Sequence, residues 1–250
     1  MRRGMAYASR GEIQPALADL TRAVQLEPRN PRFLYQRGLL YWHSRQPQLA
    51  LADFSASLEL DPKSLDAHLA RARLQLPSIH AGVQVDLDAV DRLAPPEADL
   101  RRSLGDLYDA IGQYAAAIHQ YDLWIDNHQD YDTLHEALTA RCGLQAAGNM
   151  QLERALRDCD KALQLAPYSD HYGVLSNRSL VYLRLGRFDR AMADDTAAIA
   201  LHPKSPYPLY LRGLAELRKG LKERGQTDLA AAQKLQPDIA KHYASMGLTP

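Results

Sequence analysis

The chain has 250 residues with 30 basic and 30 acidic side chains, so its formal net charge is zero and no global field draws it to nucleic acid or an anionic membrane. Hydrophobic residues make up 46% and charged residues 24%, the balance of a folded domain rather than a disordered tail. No apolar run approaches the ~18 residues that a membrane helix requires, and two cysteines cannot frame a disulfide-rich scaffold.

The first residues, MRRGMAYASRGEIQ, carry positive charge but no apolar core behind it, so no signal sequence is read there. The expectation is a cytoplasmic chain, or a periplasmic or exported one if an upstream signal is missing. β-branched residues are scarce and Ala, Leu, Arg, Asp and Gln are abundant, which favours helix throughout. Prolines that follow an apolar, alanine-containing run fall at Pro28, Pro62, Pro95, Pro167, Pro203 and Pro237. Their spacing is close to 34 residues, with one double step where Gln129 stands in for a proline.

Each period repeats one plan. A small residue marks a first helix at Gly4, Gly38, Ala72, Gly105, Gly143, Ser179 and Gly213. A second marks the start of a following helix at Ala16, Ala50, Ala117, Ala155, Ala191 and Gly225, and a third follows at Ala23, Ser57, Ala162, Ala198 and Ala232. Small side chains at fixed places let helices approach closely, and larger apolar ones fill the seams. Gly11, Gly112, Gly186 and Gly220 stand between the paired helices, where a left-handed residue closes a helix at little cost.

In chain order, residues 1–28 form an incomplete first repeat, which begins in what should be the middle of its first helix. Residues 29–62 and 63–96 form the second and third repeats. The third is the weakest, with a proline in LQLPSIHAG and with Val83 and Val90 at small-residue places. Residues 97–130 carry Trp124 where a small residue is expected, so neighbouring helices should be pushed apart between Trp124 and Glu136. Residues 131–168 have a longer turn, GNMQLERA. Residues 169–204 contain the clearest unit, Asn177 to Pro203, with Phe188, Ala191, Ala198 and Ile199 on one helical side and Asp189, Asp194 and Asp195 on the other. Residues 205–238 complete the series. Residues 239–250 form a polar capping helix, opened by Asp238 and ended at Gly247.

This pattern resembles the tetratricopeptide repeat family, in about seven copies over nearly the whole chain. Tyr182, Gly186, Ala191, Ala198 and Pro203 match it in the sixth copy, and Gly105, Tyr108, Gly112, Tyr114, Ala117 and Tyr121 in the fourth. The copies look like those of bacterial proteins. The resemblance implies an all-α fold, a right-handed α-solenoid of antiparallel helix pairs running as a single solenoid over residues 1–250. It implies a non-catalytic scaffold or adaptor that binds a partner protein or peptide in a concave groove lined by the first helices. The alternative is a recruiting segment of a larger enzyme or of a bacterial cell-envelope assembly complex. Residue by residue, the groove would include Tyr35, Leu39, Trp42 and His43, then Leu69 and Arg73, then Arg102, Asp106 and Asp109, and finally Tyr207 and Tyr210. Aromatic and arginine side chains carry much of the energy of interfaces. The equal possibility is that Tyr35, Leu39 and Trp42 are an ordinary buried helical stripe. The lysine and asparagine clamp by which some members hold a C-terminal carboxylate is not matched.

No cofactor, metal or nucleic-acid partner is expected, and no enzyme activity. The nine histidines form no HExxH, and no P-loop or GxSxG occurs. The paired aspartates, Asp86 with Asp88, Asp130 with Asp132 and Asp158 with Asp160, read as a solvated helix face or loop. Asp126, His128, Asp130, Asp132, His135 and Glu136 are ligand types, but no spacing enforces a metal and an exposed loop is expected. Inner-face Asp99, Asp106 and Asp109 argue against RNA. Cys142 and Cys159 fall on facing helices of one repeat. Two buried thiols are the favoured reading, and a disulfide would need an oxidising compartment.

Overall fold

The computed structural model describes Tyr7, residues 12–76 and residues 81–250. The expectations of an incomplete first helix near Met1, of a turn at Gly11 and of a disrupting proline in the third repeat fall on residues outside those described. The fold is an all-α solenoid, and the described residues contain fourteen α-helices. The chain divides into two compact units, Met1–Ile111 and Gly112–Pro250.

The first unit contains α1 (Ile13–Leu26), α2 (Pro31–His43), α3 (Pro47–Leu60), α4 (Leu65–Gln75), α5 (Ala81–Leu93) and α6 (Leu100–Ala110). Local chemistry sets the starts. Asn30 accepts a hydrogen bond from the Arg32 backbone at 3.1 Å just ahead of Pro31, and the Ser64 hydroxyl accepts one from the Ala67 backbone at 3.3 Å. Within the unit α2 pairs with α3 and α4 with α5, and each pair packs on its neighbour. Ala16, Ala50, Ala70 and Ala72 are buried where the helices approach. A Cβ on Gly38 would come within 2.7 Å of the Phe54 ring, so only glycine allows this contact.

The second unit contains α7 (Tyr114–Asn127), α8 (Leu134–Ala147), α9 (Leu152–Leu165), a 3-10 turn at Tyr168–Asp170, α10 (His171–Arg184), α11 (Phe188–Leu201), α12 (Pro206–Arg218), α13 (Lys222–Leu235) and α14 (Ile239–Ser245). Here α8 pairs with α9, α10 with α11 and α12 with α13. Gly186 (φ 70°) and Gly220 (φ 82°) close helices in the left-handed region, as their places in the repeat require. Arg45 and Asn149 adopt the same conformation in repeats without that glycine. The helix α14 buries Ile239 and Tyr243, and Gly247 (φ 75°) and the buried Leu248 follow it. Asp238 stands at its N-cap, though its side chain makes no capping bond.

Several expectations are corrected. The small residue of the fifth repeat is Cys142 rather than Gly143. Cys142 is fully buried, and it is joined by a disulfide to Cys159 on α9, so the thiol reading is overturned. A Cβ on Gly143 would instead meet Asn177 of the next repeat. Trp124 is buried near the end of α7, which runs to Asn127, and the spacing of the helices around it is a separate expectation that its contacts leave as it stands. Its indole is accommodated by the connection that follows: the His128 ring stacks on it at 4.5 Å, and Tyr131 meets it edge-on at 5.8 Å. The His-rich connection is therefore not simply exposed. His128 bonds the Trp124 carbonyl at 2.6 Å, and His135 is buried against the Asp132 carbonyl and Asp170.

The aspartates of the second helices are corrected too. Asp53, Asp86, Asp158, Asp194 and Asp195 are buried. Four of these five, together with Asp228, are held by an arginine on the first helix of the same repeat. Arg37 grips Asp53 through two nitrogens at 2.7 Å each, and Arg71 grips Asp86 at 2.8 Å each. Arg141 grips Asp158 at 2.8 Å each, Arg178 grips Asp194 at 2.7 and 2.8 Å, and Arg212 grips Asp228 at 2.6 and 3.1 Å. A planar fork matched to a carboxylate satisfies both groups, which lets them leave water. A third nitrogen reaches back to the preceding repeat, from Arg71 to Ser55, Arg141 to Asp122, Arg178 to Asp160 and Arg212 to Thr196. Asp88, by contrast, is exposed and accepts from the Tyr108 hydroxyl at 2.9 Å.

Candidate functional site

In the Met1–Ile111 unit, α2 and α4 bring several of the expected groove residues together. Tyr35, Leu39 and Trp42 are half-buried and form one strip over Phe54. The Tyr35 and Phe54 rings are 5.9 Å apart, and Trp42 meets Phe54 edge-on at 6.4 Å. The stripe is thus both core and surface: one side of each ring packs inward, and the other reaches solvent. His43 is exposed, with its ring stacked on Trp42 at 6.4 Å. Leu69 is only 8% exposed and adds nothing to the surface.

Polar groups gather at the other end of the strip. Arg32, Tyr35, Gln36, Ser57, Asp61, Ser64 and Asp66 line, with Pro31, a recess of about 290 Å³. Arg32, Asp66 and Arg73 are exposed. Burial, and then the Asp66 carboxylate, push the Tyr35 hydroxyl above its usual range, while Arg73 pulls the other way. On α6, Arg102 is half-buried while Asp106 and Asp109 are exposed. Partial desolvation, with Asp106 adding to it, raises the Asp109 carboxyl. The sequence reading missed Gln36, Ser57, Asp61 and Ser64 as recess residues. Ser64 was legible as the residue before a helix start.

In the Gly112–Pro250 unit, Tyr207 is exposed, with its ring 5.9 Å from His242. Tyr210 is not available to a partner. It is 1% exposed, and Tyr243 of α14 stacks on it at 5.0 Å. The capping helix covers it because an apolar repeat end has to be closed by something. Arg184, not anticipated from sequence, donates to the Ala146 carbonyl at 2.5 Å, to the Ala147 carbonyl at 3.0 Å and to the Met246 carbonyl at 2.7 Å. A cation suits these helix ends. Burial, with Arg218 nearby, lowers its pKa.

Tetratricopeptide repeat models match residues 4–75 and residues 176–239, together more than half of the chain. The chain belongs to the tetratricopeptide repeat family. A tetratricopeptide repeat protein from Parabacteroides merdae superposes with a TM-score of 0.63 at 19% identity, over 98% of this chain and 96% of that one. PilW, a type IV pilus biogenesis factor, gives 0.62 at 17% identity, over 83% of this chain and 94% of that one. PilF of Pseudomonas aeruginosa gives 0.56 at 14% identity, over 83% and 92%. At these identities the likeness shows the fold. Comparison with the curated proteins finds no match.

Within the tetratricopeptide frame, the arginine–aspartate pairs tie the two helices of a repeat to each other, and those of Arg71, Arg141, Arg178 and Arg212 also reach the repeat before. Among the described residues, no group of three or more His, Cys, Asp or Glu is placed to hold a metal ion. Nor is any described helix long and apolar enough to cross a membrane.

Proposed function

We propose that this chain is a non-catalytic scaffold that binds an extended or helical segment of a partner protein on the α2–α4 face of the Met1–Ile111 unit. Tetratricopeptide repeats are in general non-catalytic interaction modules, and the fold by itself names no partner. The observation that carries the proposal is the half-buried strip of Tyr35, Leu39 and Trp42, which continues into the polar recess at Arg32 and Asp66. Half-exposed aromatic rings already held by Phe54 lose little side-chain freedom on binding, and the recess supplies donors and acceptors for a peptide backbone. The inner acidic residues Asp66, Asp106 and Asp109 disfavour RNA.

The test is affinity capture with the purified chain, followed by variants. Tyr35→Ala with Trp42→Ala should reduce capture of the partner at least tenfold. Both rings touch Phe54, so Arg73→Glu, at an exposed position, serves as a second variant that leaves the packing intact. A partner retained fully by both variants would exclude this face.

The second reading, a recruiting segment of a cell-envelope assembly, is favoured by the Cys142–Cys159 disulfide, because such bonds persist in oxidising compartments. The identity of the captured partner separates it from a cytoplasmic adaptor.

A further inference from the structure

The fifth repeat differs from its neighbours where its two helices touch most closely. In the second repeat that place is Gly38 against Phe54, and in the seventh it is Gly213 against Leu229, where an added Cβ would meet the leucine at 2.9 Å. In the fifth repeat the corresponding residues are Cys142 on α8 and Cys159 on α9, bonded to each other with their Cα atoms 5.8 Å apart. Both are 0% exposed. Their chain neighbours Arg141 and Asp158 form the bidentate pair described above, so a covalent and an ionic link lie side by side. The turn joining α8 to α9 holds Asn149 (φ 53°) and Gln151 (φ 45°), both in backbone that L-residues disfavour. A covalent link across the hairpin keeps that turn closed.

We infer that Cys142–Cys159 is a permanent structural disulfide, installed by thiol–disulfide exchange while the fifth repeat closes, and that the chain therefore matures outside the reducing cytoplasm. The oxidant is a protein disulfide of the oxidoreductase class. One cysteine thiolate attacks it, forming a mixed disulfide and releasing one oxidant thiol. The second cysteine sulfur then displaces the oxidant's other sulfur. The chain gives up two protons and two electrons, and the oxidant leaves as a dithiol. Full burial decides between a structural and a signalling bond. Redox-sensing cysteines cycle because they are accessible, whereas neither sulfur here can be reached once α8 and α9 have packed. In the cytoplasm the thioredoxin and glutathione systems would hold both residues as thiols. The inference is independent of the groove reading and bears on the envelope reading.

The experiment is thiol counting in cells of the native organism. Cells are quenched in acid and denatured, and the chain is alkylated with a polyethylene glycol maleimide before and after reduction. Most of the chain should remain unlabelled before reduction and gain two labels after it. Labelling of most of the chain without reductant overturns the inference. A second measurement uses purified protein. Cys142→Gly with Cys159→Phe, the pair that the second repeat uses, should fold equally with and without oxidant. The native sequence, refolded with reductant, should show at least tenfold faster amide exchange in α8 and α9. Equal exchange in reduced and oxidised native chain would also overturn it.

Discussion

Asp195 occupies, in the sixth repeat, the place that Phe54 and Leu229 hold in others, with Ser179 opposite it in the place of glycine. It is 0% exposed, and neither carboxyl oxygen makes a hydrogen bond of ordinary geometry. Burial drives its pKa well above the usual carboxylate range. The Ser179 hydroxyl and Arg212 oppose this, while Asp194 and Asp228 add to it. The folded chain therefore keeps a proton on Asp195 that the unfolded chain loses near pH ~4. Below that pH both states are protonated and nothing is lost. As pH rises above it, stability falls by up to ~1.4 kcal/mol per pH unit until the folded group itself ionises. Asp195→Asn, neutral at every pH, should remove this slope and be more stable than the native chain at pH 8. Urea unfolding at pH 5 and pH 8 checks it, and an unchanged slope would mean that the native carboxyl is already ionised. The sequence showed Asp189, Asp194 and Asp195 as one polar group. Only tertiary contacts divide them into an exposed residue paired with Lys219, one gripped by Arg178 and one that is fully buried.

At the scale of helices, the arginine–aspartate pairs are what the helical pattern concealed. An arginine precedes the small residue at Arg37, Arg71, Arg178 and Arg212, and an aspartate follows 15 or 16 residues later. The periodicity was visible, but average polarity assigns every aspartate to solvent. Burial becomes tolerable because the guanidinium fork meets both carboxylate oxygens. The fourth repeat lacks the pair and instead buries Leu104 and Gln120. Breaking one buried pair leaves an uncompensated charge, so Asp158→Ala should cost about 3–5 kcal/mol. Arg141→Met with Asp158→Leu should cost much less than the single change, since no charge is stranded. Thermal or urea unfolding of the three proteins measures this. A double variant as damaged as the single would mean that the pair contributes more than charge compensation.

Within each unit, repeats bury their faces against their neighbours, so the stability of a unit is close to a sum of repeat and interface contributions. The end of the series then matters in proportion to what it covers. In the Gly112–Pro250 unit α14 is short, but Tyr243 seals Tyr210, and Arg184 fastens the Met246 carbonyl. Tyr243→Ala should cost about 3–5 kcal/mol, the range for a buried aromatic truncation. It should also expose Tyr210. Amide exchange should rise first in α12 and α13, while α8 and α9 change little. A uniform rise along the unit would contradict nearest-neighbour stability.

The 34-residue period, the helix pairs, the turn glycines at Gly186 and Gly220, the family and the capping helix were all determined by the sequence alone. These features rest on local backbone preference and on small residues at fixed intervals, and both are written within one or two turns of chain. Tertiary structure decided which polar side chains leave water, that Cys142 rather than Gly143 takes the close-packing place, and that Cys142 bonds Cys159. It also decided that Trp124 is housed by His128 and Tyr131, and that of the two tyrosines expected to line a groove in the seventh repeat Tyr207 stays exposed while Tyr210 is covered. Each of these depends on a partner many residues away, and neither composition nor periodicity specifies what such a partner places beside a given side chain.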